Sequence, residues 1–284
     1  MTPRPGRLVD ELVAAARLDL AEVWRSRWLL FATAVYGLLA VVFVLVGLRE
    51  SAVLGFTGLG RVLLSFAHAL LLLLPLLALS ATGPLVPRAR DEGMLEFLLS
   101  QPIRRTAWFS AVSLVRLLAL AVPLGALMLA MAAYGALALA ADIPWAFLGR
   151  TLLVSAALLV AFVGLGMAIS ARSRQQARAA VAVVVAWLAA VALLDFGLLS
   201  LMLTWRVHPR VVFLLGALNP VEAARLALLS GIEPDLGSLG PVGFYLANRV
   251  GSRWLLLVGT AWPAALGLLA WWAALRGFRR GDVV

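Results

Sequence analysis

Six long apolar stretches alternate with connecting segments along the 284-residue chain. They cover residues 28–48, 62–85, 108–141, 147–170, 179–205 and 254–275. A helix of about 20 apolar residues crosses a hydrocarbon layer of about 30 Å. The pattern therefore predicts an all-α polytopic membrane protein with six transmembrane helices in one transmembrane domain, residues 1–284. The third stretch is too long for one upright span, so we expect it to start at the inner surface and then tilt or kink at Pro123.

The first 26 residues contain no such stretch. Over residues 7–26 the apolar side chains recur at helical spacing opposite Arg7, Asp10, Glu11 and Arg17. This periodicity predicts an amphipathic helix that lies at the membrane interface.

A charged segment, residues 88–106 (RARDEGMLEFLLSQPIRRT), separates the second and third stretches. Asp91 and Glu92 are predicted to open a short helix, because carboxylates favour the positive end of a helix, and Pro102 to end it. Its polar side holds Arg88, Glu92 and Glu96, and its apolar side Met94, Leu95, Phe97, Leu98 and Leu99. Such a helix can lie at the lipid headgroups or fit a groove on a partner.

The basic residues fix the predicted orientation. All 24 are arginines, and with six spans 15 of them fall on the side that holds both termini, against 8 on the other side. The positive-inside rule places both termini in the cytoplasm and residues 206–253 outside as an outer segment. Residues 211–230 are apolar enough to be a seventh span. However, a seventh span would move the C-terminal arginines to the side of the membrane that holds fewer arginines. Four residues in its middle would also be costly in lipid: Asn219, Pro220, Glu222 and Arg225.

Composition excludes several classes of function. With 63% hydrophobic residues, the chain is not a soluble globular protein, and it carries no nucleic-acid-binding motif. It contains no lysine and therefore no GxxxxGK[ST] phosphate loop. Cysteine is absent, and HExxH and GxSxG motifs are absent too, so nothing indicates an enzyme. The two histidines and the methionines have no spacing that indicates a metal site.

Arg150 lies near the start of the fourth apolar stretch, and two further charged residues lie deeper inside such stretches. Asp195 lies about 24 Å along the fifth stretch, in the outer third of the membrane. It is a candidate gate, proton carrier or partner of an outer arginine, the alternative being a structural ion pair or a protonated carboxyl. Arg116 is interpreted as an anchor that snorkels to the inner surface. In the outer segment, Glu222 and Arg225 are predicted to pair at i, i+3.

The stretch DEGMLEFLLSQPIRR resembles the segment between the second and third spans of ABC-2-type transporter permeases, with Met94 where threonine is common. The matching residues are Glu92, Gly93, Leu95, Glu96, Leu98, Leu99, Ser100, Pro102 and Arg105. The resemblance implies the ABC-2 exporter permease fold and a homodimer of permeases in the inner membrane. It also implies that residues 91–101, with Arg90 and Arg105 beside them, dock into a separate cytoplasmic ATPase. ATP and Mg would then be bound by that partner, with no cofactor on this chain.

Within that family the sequence resembles the permeases that serve maturation of nitrous oxide reductase. The likeness lies in Arg25-Ser-Arg-Trp28, Asp195, Leu218-Asn-Pro220, Arg225-Leu226 and Ser230-Gly231. It implies a periplasmic partner protein and a role in copper-site assembly. Two alternatives stay open: an exporter of a lipid, drug or other small molecule, and an ATPase-independent membrane enzyme or structural membrane protein.

Overall fold

The computed structural model describes residues 5–54, 57–101, 103–138, 145–193, 217–232 and 251–280, and within them it is helical apart from short turns. The elements are α1 (Pro5–Arg25), α2 (Arg27–Leu54), α3 (Thr57–Thr82), α4 (Leu85–Asp91), α5 (Met94–Ser100), α6 (Arg105–Ala138), α7 (Trp145–Arg172), α8 (Gln176–Leu188), a π-helical turn (Ala189–Leu193), α9 (Pro220–Ile232) and α10 (Ser252–Arg280).

Four described helical stretches are long and apolar enough to cross a membrane: His68–Asp91, Arg105–Tyr134, Trp145–Arg172 and Ser252–Arg280. Two shorter apolar helices, Arg27–Leu39 and Gln176–Val191, fall on the first and fifth predicted stretches. Lipid offers no hydrogen-bond partners, and a helix satisfies its backbone groups internally, so apolar runs of this length form helices. The all-α polytopic fold is confirmed.

The centre of the bundle is α7, which packs most extensively against α10 and α3. Two glycines allow α7 and α10 to approach closely, because a Cβ added at Gly164 would overlap the backbone of Gly267. Backbones in contact gain packing that larger side chains would prevent, which is how small residues hold membrane helices together.

The N-terminal helix α1 carries two apolar stripes, whereas its periodicity predicts a single apolar side. Ala15, Asp19 and Val23 face the bundle and are buried. Val9 and Trp24 belong to a second apolar stripe that is exposed, with Trp24 77% exposed. One apolar stripe therefore packs on protein, and the other is free to meet lipid, as expected for an interfacial helix.

The helix α9, which falls in the predicted outer segment, has 13 residues, about 20 Å. This is shorter than the hydrocarbon core. It packs on α10 and α7, with all but a few of its side chains buried. Most of the predicted outer segment, and Asp195, lie outside the described residues.

Candidate coupling site

Residues 85–101 form two short helices joined at Gly93 rather than one. Asp91 ends α4, and Gly93 has a φ of 68°, a left-handed conformation that favours glycine. The Gly93 N–H donates to the Arg90 carbonyl, and the Phe97 N–H donates to the Gly93 carbonyl. The prediction that Asp91 and Glu92 open the helix was therefore wrong, because the left-handed glycine, not a carboxylate, marks where α5 begins.

The short helix α5 has one buried and one exposed side. Leu95 and Leu98 are buried at 1% and 5% exposure. Glu96 is exposed, and Phe97 is 65% exposed although its sequence position predicted an apolar contact. The described protein therefore presents an acidic and an aromatic side chain from a helix whose other side is fixed in the core.

Of the predicted polar side, Arg88 and Glu92 form an ion pair at the C-terminal end of α4, before the helix break. Arg88 Nε donates to Glu92 Oε1 at 2.8 Å, and both side chains are half exposed. An exposed pair of this kind contributes about 0.3–0.5 kcal/mol. Of the other predicted coupling residues, Asp91 is exposed, while Arg90 and Arg105 are partly buried. Pro102 and the side chain of Leu99 lie outside the described part.

The helix α1 is joined to this site by two sets of polar contacts. Glu11 Oε2 accepts a hydrogen bond from the Arg104 N–H at 3.1 Å, just before α6 begins. Three turns further along α6, the Arg116 guanidinium donates to Asp19 Oδ1 at 2.8 Å and lies 3.6 Å from Glu22 Oε1. These contacts attach α1 to the start of α6, the helix that follows the coupling segment directly.

The interpretation of Arg116 as a snorkelling anchor was wrong. Its side chain is only 10% exposed and pairs with Asp19, which is 7% exposed. Burial raises the pKa of Asp19, and the guanidinium of Arg116 offsets only part of that effect. The pair is therefore a buried structural contact between α1 and α6.

A cleft of about 170 Å³ lies between α1 and the coupling segment. Its charged lining consists of Asp19, Glu22, Arg88, Glu92 and Arg116, and its apolar lining includes Trp28, Leu98 and Trp108. This lining includes two ion pairs, Arg88–Glu92 and Arg116–Asp19. The cleft therefore joins α1, α4, α5 and α6 into one surface.

The candidate functional residues of the predicted outer segment form a separate group at the start of α9. Arg225 and Glu222 make the predicted i, i+3 ion pair, with NH1 and Oε1 2.8 Å apart. Asn219 and Pro220 are buried at the start of α9. The Asn219 Oδ1 accepts from the Val221 N–H at 3.0 Å, and its Nδ2 donates to the Ala190 carbonyl at 2.7 Å. These residues and the coupling segment thus belong to different parts of the bundle.

Sequence reasoning missed Glu11, Asp19 and Glu22. A signal for Asp19 was present, because it lies one turn from Ala15 and one turn from Val23 on an otherwise apolar stripe. Arg116 was the only charge in the third apolar stretch, and charges at such positions are generally paired. The pairing of the two could not be read from the sequence, since nothing in it aligns α1 with α6.

Comparison with known proteins identifies relatives over nearly the whole chain. Residues 13–275 match the model of a family described as "ABC-2 family transporter protein". The chain is 30% identical over 263 residues to the probable ABC transporter permease protein NosY of Pseudomonas aeruginosa, covering 89% of this chain and 95% of that protein. It is 29% identical over 264 residues to the probable NosY permease of Stutzerimonas stutzeri, covering 90% and 95%.

Proposed function

Since the chain belongs to the ABC-2 family of transporter permeases, we propose that it is driven by a separate cytoplasmic ATPase that docks on the coupling segment, residues 88–106. Permeases of this family are membrane transport subunits rather than enzymes, and they work with a cytoplasmic ATPase in general. ATP and Mg are bound and used on the partner in this proposal.

The observation that carries the proposal is the two-sided helix α5. Leu95 and Leu98 anchor it in the bundle, while Glu96 and Phe97 point away from the protein. An exposed aromatic residue beside a charge is typical of an interface anchor. A push on that exposed side is passed to the bundle because the opposite side is buried.

The contacts of α1 support a wider docking unit. The Glu11 contact at Arg104 and the Asp19 contact at Arg116 attach α1 to both the exit of the coupling segment and the first turns of α6. Breaking a buried pair by removing one partner costs about 3–5 kcal/mol. Such contacts let α1, the coupling segment and α6 move as one body.

The distribution of arginines supports the orientation that this docking requires. It favours an orientation with both termini, and therefore α1 and the coupling segment, in the cytoplasm. The inner membrane is the location implied by the resemblance to ABC-2 permeases. We further propose that two copies of the permease form a homodimer, each contacting one ATPase, with the exposed apolar side chains of the spans in contact with lipid or with the second copy.

The finer proposal is that this permease serves maturation of the copper sites of nitrous oxide reductase together with a periplasmic partner. Its support is the similarity to the two NosY permeases over about nine-tenths of the chain, along with the motifs around Trp28, Asn219 and Ser230. Export of a lipid, drug or other small molecule is the competing function.

The test of ATPase docking is a pull-down of the tagged chain from native membranes solubilised in mild detergent. The native chain is expected to retain a Walker-A ATPase, whereas Glu96→Arg with Phe97→Ala loses it, because both changes are on the exposed side of α5. Leu137→Ala, at an 87% exposed position near the far end of α6, is the matched control and retains the ATPase. Equal recovery of the ATPase by both variants would contradict docking at α5. A periplasmic protein in the native pull-down would support the maturation function, and its absence would favour an exporter.

A further inference from the structure

The helix α8 packs against the turn that leads into α4, the helix whose last residues begin the coupling segment. The turn between α3 and α4 contains Gly83, where an added Cβ would overlap the side chain of Val183 on α8. Val183 is 5% exposed. Atoms packed this closely transmit displacement because protein interiors resist compression. A movement of the turn between α3 and α4 is therefore expected to displace α8.

At its outer end α8 continues into the π-helical turn Ala189–Leu193. The Asn219 amide donates to the carbonyl of Ala190 in this turn at 2.7 Å. One α-helical residue is about 1.5 Å, so Ala190 lies about 10 Å along the helix from Val183. Single π turns are rare and often occur at functional sites.

Asn219 lies directly before α9, in the predicted outer segment. Its Oδ1 caps α9 by accepting from the Val221 N–H, and its side chain is buried. A buried amide that loses its acceptor costs about 1–3 kcal/mol. Asn219 therefore holds α9 to the π turn with one atom while it orders the start of α9 with another.

Other contacts make α9 one body with α7 and α10. Trp262 on α10 donates through Nε1 to the Leu218 carbonyl at 3.0 Å. At the far end of α9, the Arg150 guanidinium donates to Ser252 Oγ at 2.9 Å, and that hydroxyl donates to the Ser230 carbonyl at 2.8 Å. The Asn219–Ala190 hydrogen bond connects this block to the helical turn that continues α8, so a movement of α8 relative to the block would strain that bond.

We propose that α8 carries movement from the coupling segment to the outer segment, and that Asn219 is the positioning residue that passes it to α9. This rests on the proposed function, because the ATPase supplies the movement. The path runs from Gly83 to Val183, along α8 to Ala190, and through the Asn219 amide to α9. In this proposal, the π-helical turn Ala189–Leu193 is the part of the path whose geometry changes.

The test uses variants that separate the two bonds of Asn219. Asn219→Asp and Asn219→Ser both keep an oxygen to cap α9, since aspartate, serine and asparagine are all good N-caps, but both lose the amide donor to Ala190. Serine is the second variant because a buried aspartate can disturb folding. Trp262→Phe is the matched control, because it removes a hydrogen bond from the same end of α9 to α10 instead of to α8.

The readout is a pair of spin-label distances in the complex with its co-purified ATPase, without nucleotide and with ATP and vanadate. The chain has no cysteine, so Val184→Cys with Leu118→Cys reports α8 against α6, and Leu218→Cys with Leu137→Cys reports α9 against α6. All four side chains are exposed. Nucleotide is expected to change both distances in the native complex and in Trp262→Phe. In the Asn219 variants only the α8 distance changes.

A nucleotide-dependent α9 distance that survives in both Asn219 variants would overturn the inference, as would its equal loss in Trp262→Phe. A native complex that hydrolyses ATP without a change at α8 would also overturn it while leaving the proposed function intact. Failure to recover any ATPase would instead contradict the proposed function.

Discussion

Replacing Arg116 with methionine is expected to detach α1 from α6. Methionine keeps most of the apolar stem but removes the guanidinium 2.8 Å from Asp19 Oδ1. The remaining carboxylate is 7% exposed and has no described cation to replace Arg116. Removing one member of a buried pair costs about 3–5 kcal/mol. We expect the lower value, about 3 kcal/mol. Burial already raises the pKa of Asp19, so the carboxylate left without Arg116 takes up a proton more easily than an ordinary one.

Limited trypsin digestion measures this change, since trypsin cleaves after arginine and α1 carries Arg17 on its exposed surface. When opening and closing are fast relative to cleavage, the cleavage rate follows the population of the open form. Because about 1.36 kcal/mol corresponds to a tenfold change, a loss of about 3 kcal/mol predicts a rise of about 150-fold in cleavage after Arg17. Arg174, exposed between α7 and α8 and remote from the pair in sequence, is the internal control and is cleaved at the native rate.

A double variant distinguishes a broken ion pair from general damage. Asp19→Leu with Arg116→Met replaces both charges with apolar groups of similar size, and such replacements are often neutral or stabilising. Cleavage after Arg17 is therefore expected to return close to the native rate. If the single variant is cleaved no faster than the native protein, or the double variant stays as labile as the single one, the ion pair does not hold α1.

Two further predictions concern the packing of α10 and the protonation of Asp19. Gly267→Ala should destabilise the protein by about 1–3 kcal/mol, because its Cβ would overlap the backbone of Val160 and Ala161. The measurement is the thermal unfolding temperature in detergent. The control Gly277→Ala, with open space around its Cβ, should leave that temperature unchanged or slightly higher. Since the pKa of Asp19 is raised from 3.8 in the folded protein, its contribution to stability is fully present below pH 3.8 and is lost as the pH rises through the raised value. Hydrogen exchange of α1 amides should therefore show a pH-dependent difference between the native protein and Asp19→Asn, and a difference independent of pH would contradict it.

The coupling segment shows which structural features its sequence pattern could predict and which it could not. The sequence pattern predicted that Arg88 and Glu92 share one polar side, and in the structure these two form an ion pair. The break at Gly93 was not predicted, because a glycine inside an amphipathic pattern can continue a helix or end it, and the pattern alone does not show which conformation Gly93 takes. For the same reason the exposure of Phe97 could not be read from its position beside Leu98.

The sequence by itself determined the membrane class, the approximate places of the apolar stretches and the absence of a phosphate loop on this chain. These properties follow from hydrophobic length, charge placement and residue type, all of which are local. Only the tertiary structure decided that Asp19 meets Arg116, that Glu11 reaches Arg104 and that Asn219 joins α9 to the π turn. Each of these contacts joins residues 29 to 97 positions apart. Such contacts depend on how helices are placed beside one another, and that placement is set by the packing of many side chains at once.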